Sequence, residues 1–260
     1  MTGALEGRVL LVSGGTQGVG AAVARAAVDA GATVVVSGRR PEIGRATAAG
    51  LTRRGGRPAV FLEADVADVA QAQASVTEVV RRFGRIDCLV NAAGLTSRGS
   101  LLETTPALFD AHVAVNLRAP FFLMQAAVRD MVARGAPGTI VNVITMSAHG
   151  GQPYLSAYSA TKAGLAGLTR NTAHAHRWDR IRVNAVNIGW TDTEGEDVVQ
   201  REFYDADDDW RERAAESLPM GRLGRPDDAA ALVVLLLSDR SGVVTGSVID
   251  WDQHVVGTSD

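Results

Sequence analysis

The fold is decided by the stretch Ser13-Gly14-Gly15-Thr16-Gln17-Gly18-Val19-Gly20, which joins a short apolar run to a helical pattern. Glycines at such a junction allow a tight turn, close approach of the backbone to a phosphate, and close packing of the helix on the strand. The first turn of a helix also presents free N–H groups and the positive end of its dipole to an anion. Because this turn lies between the first predicted strand and the first predicted helix, it indicates a dinucleotide-binding site.

The chain around this turn alternates short β-branched runs with longer helical stretches. The runs that predict strands are Arg8–Ser13, Thr33–Ser37, Ala59–Glu63, Ile86–Asn91, Thr139–Ile144, Arg182–Ile188 and Ser247–Asp250. The stretches that predict helices are Val19–Ala30, Glu42–Arg54, Val69–Phe83, Pro106–Arg134, Leu155–Arg177 and Pro226–Ser238. This alternation predicts an α/β fold, with a single Rossmann-like, doubly wound domain over residues 1–260 and a mostly parallel, seven-stranded sheet covered by helices on both faces.

Composition narrows the class of protein. The chain has 260 residues and a net charge of −3, so it has no basic excess for binding nucleic acid. Its N-terminus lacks the long apolar stretch of a signal peptide, and its apolar runs are too short to span a bilayer. Cys88 is the only cysteine, which excludes an internal disulfide and is typical of a reducing compartment. We therefore expect a soluble, cytoplasmic protein with no nucleic-acid, membrane or metal partner.

Lys162 is the only lysine in a chain with 26 lysine and arginine residues in total. An arginine guanidinium cannot replace the compact ammonium of lysine, so its retention indicates a special role. Tyr158 lies four residues earlier on a predicted helix, and the two side chains therefore share one helix face. A neighbouring ammonium is expected to lower the tyrosine pKa from about 10, which would make Tyr158 a general acid/base near neutral pH.

The end of the second strand predicts which nucleotide is bound. In dinucleotide-binding folds an acidic residue at this position binds the ribose 2′-hydroxyl. This chain instead has Ser37-Gly38-Arg39-Arg40, with two guanidinium groups and no carboxylate. Because a guanidinium pairs well with phosphate, Arg39 and Arg40 favour NADP, with NAD still possible. The alternative is that both are ordinary surface cations before a helix.

Taken together, these residues resemble the short-chain dehydrogenase/reductase family over almost the whole chain. The glycine turn is similar to the family's Thr-Gly-x-x-x-Gly-x-Gly motif, with Ser13 in the threonine position. The remaining matches follow in order: Asp65-Val66 after the third strand, Asn91-Ala92-Ala93-Gly94 for Asn-Asn-Ala-Gly, Asn116 for the helix asparagine, and Tyr158-Ser159-Ala160-Thr161-Lys162 for Tyr-x-x-x-Lys. The residues expected to bind the nucleotide are Ser13, Gly14, Gln17, Gly18, Val19, Gly20, Arg39, Arg40, Asp65, Val66, Asn91, Ala92, Gly94, Tyr158, Lys162, Gly189, Thr191 and Thr193.

The resemblance implies an oxidoreductase that transfers a hydride between NADP(H) and a carbonyl or secondary alcohol. Tyr158 would exchange the proton, and Lys162 would also hold the nicotinamide ribose. The family's catalytic hydroxyl, thirteen residues before the tyrosine, falls on Thr145, and the nearby Ser147 is the alternative. Asn116 would hold a water molecule in a proton relay.

Several features on the substrate side remain open from sequence alone. The acidic and arginine-rich segment Thr191–Glu216 predicts either a solvated surface helix or a mobile lid beside the substrate. His149, Gln152 and Tyr154 either contact a polar substrate or are solvent-exposed loop residues. Trp190 and Trp251 are candidates for a pocket wall, a subunit contact or the core.

Assembly and reaction type also follow from the resemblance. It implies a homotetramer, with the helices Pro106–Arg134 and Leu155–Arg177 packed between subunits. Two other functions remain as alternatives. One is a lyase or epimerase that uses the same base without net redox chemistry, and the other is a catalytically silent, nucleotide-sensing protein.

Overall fold

The computed structural model describes residues 3–257. The strands are β1 (Val9–Ser13), β2 (Thr33–Gly38), β3 (Val60–Glu63), β4 (Cys88–Asn91), β5 (Gly138–Thr145), β6 (Ile181–Ile188) and β7 (Val248–Trp251). The α-helices are α1 (Gly18–Asp29), α2 (Pro41–Gly55), α3 (Val69–Phe83), α4 (Pro106–Val113), α5 (Ala119–Ala133), α6 (Ser156–Ala175), α7 (Glu194–Tyr204), α8 (Trp210–Glu216) and α9 (Pro226–Leu237). The predicted α/β fold is confirmed.

The seven strands form one sheet in the order β3-β2-β1-β4-β5-β6-β7, and every neighbouring pair is parallel. The chain runs outward from β1 to β3 and then returns to place β4 on the other side of β1. This reversal between β1 and β4 is the topological switch point at which open α/β sheets bind ligands. The predicted glycine turn and the turn after β4 both lie at this point.

The sheet is covered on both faces because its strands are apolar on both faces. In β1, Leu10 and Val12 belong to an apolar cluster with α1 and α9, while Val9 and Leu11 belong to a second cluster with α3, α5 and α6. Each strand thus buries alternate side chains in opposite layers. This packing holds the carboxyl ends of the strands as a rigid platform for the site.

One predicted helix is interrupted. The span predicted as Pro106–Arg134 forms α4, a π-helical turn at Ala114–Arg118 and then α5. Pro120 has no amide proton to donate to the carbonyl four residues earlier, on Asn116. The Asn116 side chain also leaves the helix surface, accepting a hydrogen bond from Leu95 N at 2.8 Å and donating one to Leu95 O at 2.9 Å. The π-turn therefore fixes Asn116 to the loop after β4.

The charged segment Thr191–Glu216 folds into α7 and α8, two helices that the strand and helix predictions omitted. A small apolar cluster packs Trp210 and Ala214 of this segment against Leu218 and Leu223, which follow it in the chain. Its charges pair within the segment: the Arg211 guanidinium lies 2.8 Å from Asp192 and 2.9 Å from Asp197. Within residues 3–257, no helix combines the length and apolar character needed to cross a bilayer.

Candidate active site

A continuous cleft of about 1320 Å3 runs along the carboxyl edge of the sheet, from the end of β2 to the start of α6 and the segment 191–216. Its volume exceeds the about 300 to 1,000 Å3 that is typical of a pocket for one small ligand. The predicted site residues that line it are Gly14, Gln17, Gly18, Val19, Gly20, Arg39, Arg40, Asp65, Val66, Ala92, Gly94, Thr145, Tyr158, Lys162, Gly189, Thr191 and Thr193. The cleft is long enough for a dinucleotide together with a second, smaller molecule.

The glycine turn is packed too closely to carry a side chain at two of its positions. Gly14 has a φ of +74°, and a Cβ atom there would lie 2.5 Å from Ala93 N. A Cβ atom at Gly20 would lie 2.2 Å from Gly14 O. No side chain can occupy either position without displacing the backbone. The turn therefore fits the pyrophosphate of a dinucleotide, held by free N–H groups at the start of α1.

The segment 191–216 touches the glycine turn. Gly18 N donates a hydrogen bond to the Glu194 carboxylate at 3.3 Å, and the Thr193 methyl group lies 3.5 Å from the position of a Cβ on Gly18. A carboxylate is stabilised at a helix N-terminus for the same reason as a phosphate. Glu194 and a pyrophosphate would therefore compete for the same N–H group.

At the other end of the nucleotide half, Arg39 and Arg40 are exposed and line the cleft. The Arg40 guanidinium donates a hydrogen bond to the Gln17 side chain, which connects the end of β2 to the glycine turn. Neither arginine forms a salt bridge with another residue in the described part of the chain. Both guanidinium groups are thus available to an anionic ligand. Asp65 instead stabilises the turn after β3 by accepting a hydrogen bond from Ala67 N at 3.0 Å.

Tyr158 and Lys162 lie on the same face of α6 and reach the same part of the cleft. The Lys162 Nζ atom is 5.8 Å from the centre of the Tyr158 ring and donates a hydrogen bond to Val143 O at 3.0 Å. A Cβ atom on Gly94 would lie 3.7 Å from Lys162 Nζ and 3.8 Å from Asn116 Oδ1. The absence of a side chain at Gly94 therefore leaves the ammonium open to the cleft.

The pKa shifts of this pair differ from the sequence-based expectation. Burial raises the pKa of the Tyr158 phenol to about 12, against the lowering effects of the Thr145 hydrogen bond and the Arg98 charge. Burial also lowers the pKa of the Lys162 ammonium to about 8. The expectation that Tyr158 has a lowered pKa is therefore wrong for this arrangement, because loss of hydration raises the pKa more than the Thr145 hydrogen bond and the Arg98 charge lower it.

Two hydroxyl groups compete for the role of holding a substrate oxygen. The Thr145 hydroxyl is a hydrogen-bond partner of the Tyr158 phenol, and its oxygen also lies 3.3 Å from Ser147 Oγ. The Ser147 hydroxyl is directed elsewhere, toward Gln152 Oε1 at 3.1 Å. The geometry thus places Thr145 next to the phenol, with Ser147 one hydrogen bond further away.

Three predicted residues are buried behind the cleft rather than in its wall. Ser13 and Asn116 are fully buried, and Asn91 is almost so. The Asn91 side chain donates to Asn142 Oδ1 at 2.8 Å and holds β4 to β5. Asn116 is joined to the cleft wall by its hydrogen bonds with Leu95.

Of the candidate residues on the substrate side, some line the cleft and others lie outside it. Gln152, Tyr154 and Trp190 line the cleft. His149 does not: it pairs with Asp250 on β7 at 3.0 Å. Trp251 packs against the apolar cluster beside α9, where it limits the space at Gly224.

Sequence reasoning missed two charged residues in the cleft wall, Arg98 and Glu196. Arg98 follows β4 closely enough that its position after a strand end could have indicated it, because the carboxyl ends of parallel strands meet at the site. Glu196 lies in the segment already expected to border the substrate. Neither belongs to a motif, so spacing alone could not have identified them.

The fold and this cleft define a nucleotide-binding α/β protein with a tyrosine, a lysine and a hydroxyl at the switch point of its sheet. A family model described as enoyl-(acyl carrier protein) reductase matches residues 14–253. The chain belongs to the short-chain dehydrogenase/reductase family, whose members are NAD(P)-dependent oxidoreductases that act on alcohol and carbonyl groups.

Relatives with named activities cover nearly the whole chain. An L-rhamnose 1-dehydrogenase (NAD(P)(+)) from Sphingomonas sp. (strain SKA58) is 34% identical over 94% of this chain and 94% of its own. A sorbitol dehydrogenase from Cereibacter sphaeroides is 31% identical over 95% of this chain and 97% of its own. A crystal structure assigned to a short-chain alcohol dehydrogenase from Sinorhizobium meliloti 1021 has 36% identity and a TM-score of 0.87, covering 96% of each chain.

Proposed function

We propose that this protein transfers a hydride between NADP(H) and a carbonyl or secondary alcohol, with Tyr158 as the general acid/base. One observation carries the proposal: the Tyr158 phenol and the Thr145 hydroxyl are hydrogen-bond partners in the same cleft as Lys162 and the glycine turn. A substrate oxygen placed between the two hydroxyls would meet both a proton donor and a second hydrogen-bond donor.

Each side chain has a distinct part in that reaction. For oxidation of an alcohol, Thr145 donates a hydrogen bond to the substrate oxygen, and Tyr158 removes the O–H proton as the C–H bond breaks. The bound nicotinamide supplies the acceptor for the hydride and, in its oxidised form, a positive charge. In reduction, Tyr158 gives its proton to the carbonyl oxygen. Its raised pKa keeps the phenol protonated at neutral pH, which suits this direction.

The remaining buried groups support that proton transfer. Lys162 holds the nicotinamide ribose and places a positive charge beside the phenol. Asn116 fixes the loop after β4 through the hydrogen bonds of its side chain with Leu95. Its backbone carbonyl receives no hydrogen bond from residue 120, because Pro120 has no amide proton. That carbonyl is then able to bind a water molecule between Lys162 and solvent.

Arg39 and Arg40 support NADP over NAD. Both guanidinium groups stand at the carboxyl end of β2, where a carboxylate would otherwise bind the ribose 2′-hydroxyl. An acidic residue at this position would repel a 2′-phosphate, whereas a guanidinium binds it through two parallel hydrogen bonds.

Assembly and location are part of the same proposal. An apolar groove of about 510 Å3 lies between α5 and α6, and Phe121 and Val132 on its rim are 43% and 44% exposed. Packing of a second copy on these helices, within a homotetramer, would cover it. The single thiol, on Cys88, is buried with its pKa raised to about 11, which suits a reducing cytoplasm. Light scattering coupled to size exclusion measures the assembly, and a monomer would contradict it.

The reaction is tested by following the absorbance of reduced nicotinamide with a panel of ketones, hydroxysteroids, sugars, polyols and β-ketoacyl thioesters. Each compound is assayed with NADP(H) and NAD(H) separately. Stoichiometric change of the nicotinamide with one compound, faster with NADP(H), supports the proposal. Conversion of a substrate without change of the nicotinamide would identify a lyase or epimerase, and nucleotide binding without any conversion would identify a sensor.

A further inference from the structure

Two oppositely charged side chains at the substrate end of the cleft do not pair with each other. Arg98, in the loop after β4, and Glu196, on α7, both line this end and both are half-buried. Neither forms a salt bridge with any residue between 3 and 257. Unpaired charges in a partly buried cavity are costly unless hydrogen-bond partners satisfy them.

The partners that the protein supplies are neutral and incomplete. Arg98 donates from Nη1 to Thr96 O at 2.9 Å and from Nε to the Tyr204 hydroxyl at 3.4 Å. Glu196 Oε1 accepts from Trp190 Nε1 at 2.9 Å and from Gln200 Nε2 at 2.8 Å. These bonds hold both groups in place, while Arg98 Nη2 and Glu196 Oε2 have no hydrogen-bond partner in the described chain. The N–H groups of Arg98 Nη2 and the lone pairs of Glu196 Oε2 thus remain for a ligand.

Both charges act at the reacting position. After burial and the Thr145 hydrogen bond, the next influences on the Tyr158 pKa are the Arg98 charge, which lowers it, and the Glu196 charge, which raises it. A ligand that places an oxygen on Tyr158 is therefore within the field of both. An anionic ligand would gain from Arg98 but be repelled by Glu196, and a purely apolar ligand would leave both unsatisfied.

We propose that Arg98 and Glu196 recognise two further hydroxyl groups of a neutral, polyhydroxylated substrate, a sugar or polyol, while Tyr158 acts on a third. A hydroxyl group both donates and accepts, so one ligand of this class satisfies the guanidinium and the carboxylate together. Aromatic faces complete the site: Tyr154 and Tyr204 are exposed beside it and Trp190 forms part of its wall, where the C–H groups of a sugar can pack. This inference rests on the proposed function for the reaction at Tyr158.

The two roles are tested by binding as well as by turnover. Sorbitol and L-rhamnose are titrated calorimetrically against the Tyr158→Phe protein, with and without NADP, and oxidation of both is measured with the wild type. Arg98→Met and Glu196→Gln are each expected to weaken binding and raise KM by about 10- to 100-fold, because each removes a charge-assisted hydrogen bond. Arg53→Met on α2 and Glu212→Gln on α8, both exposed and outside the cleft, are the matched controls.

Three comparison alcohols separate the ligand classes, and each has a secondary hydroxyl: cyclohexanol, lactate and threonine. The inference predicts that neither substitution changes the binding or the KM of cyclohexanol. Lactate bound more tightly by Glu196→Gln and more weakly by Arg98→Met would identify an anionic substrate instead. Threonine weakened by both substitutions while the polyols are unaffected would identify a zwitterion. Either pattern overturns the inference, as does failure of both polyols to bind.

The failure of this inference is distinguishable from failure of the proposed function. Oxidation of cyclohexanol without binding of either polyol would support the proposed reaction and refute the proposed substrate class. The opposite result is a polyol that binds, and binds more weakly to both variants, while the nicotinamide does not change. That result would support the recognition site and refute the redox reaction. Arg98→Lys retains the charge and is expected to restore part of the affinity, which a merely structural role would not require.

Discussion

Replacing the lone lysine by methionine should make this protein more stable while abolishing its chemistry. Lys162 is only 4% exposed, and burial lowers the pKa of its ammonium from the ordinary 10.5 to about 8. At about 1.4 kcal/mol for each tenfold change, that gap corresponds to about 3 kcal/mol spent on keeping the charge inside the folded protein. Methionine is similarly long and unbranched but carries no charge.

The gain depends on pH in a direction fixed by the lowered pKa. Below pH 8 both the folded and the unfolded chain carry the ammonium, so the folded protein bears the full cost. Between pH 8 and 10.5 the folded chain loses the proton first, and the cost falls as the pH rises. Loss of the hydrogen bond to Val143 O destabilises the methionine variant by about 1 kcal/mol and offsets part of this gain. We therefore expect Lys162→Met to raise the free energy of unfolding by about 2 kcal/mol at pH 7 and about 1 kcal/mol at pH 9.

Urea unfolding at pH 7, 8 and 9, followed by circular dichroism, measures this difference directly. Arg53→Met is the control, because it removes an exposed charge from α2 and should change stability little at any of these pH values. Lower stability of Lys162→Met at pH 7, or a difference that does not shrink toward pH 9, would refute the argument that burial of the ammonium is costly.

Three further predictions concern other parts of the cleft. Arg39→Asp should weaken NADPH binding at least about tenfold more than NADH binding in fluorescence titrations, because a guanidinium pairs with the 2′-phosphate; equal losses, or the same change in Arg53→Asp, would place 2′-phosphate recognition elsewhere. Thr145→Val should reduce turnover about 100-fold and Ser147→Ala less than tenfold, as expected for loss of a donor to the reacting oxygen; the reverse order in steady-state assays would assign the role to Ser147. Glu194→Gln should tighten NADPH binding about two- to fivefold by removing a competing charge from the N-terminus of α1, and unchanged or weaker binding would show that this contact does not oppose the nucleotide.

The predictable part of the fold and site is the part encoded over short distances in the chain. Alternating apolar runs indicated all seven strands, because buried parallel strands are apolar on both faces. The glycine turn and the Tyr158–Lys162 pair were predictable because local spacing fixes which backbone or helix face they share.

The parts that could not be predicted depend on contacts between distant segments. The π-turn at Ala114–Arg118 follows from bonds between Asn116 and a loop twenty-one residues earlier. His149 is hydrogen-bonded to Asp250, 101 residues away in the chain, and Glu194 is hydrogen-bonded to Gly18, 176 residues away. The pKa of Tyr158 depends on its burial, which only the packed structure determines. Helical spacing showed that an ammonium was near but not how much water both groups would lose.

The most direct test of the account is Tyr158→Phe, measured for both NADPH binding and turnover. The substitution removes one hydroxyl from a half-buried ring, and the account predicts an almost unchanged Kd for NADPH with turnover lower by about 100- to 10,000-fold. Turnover equal to that of the wild type, with NADPH bound normally, would contradict the assignment of the proton transfer to this phenol.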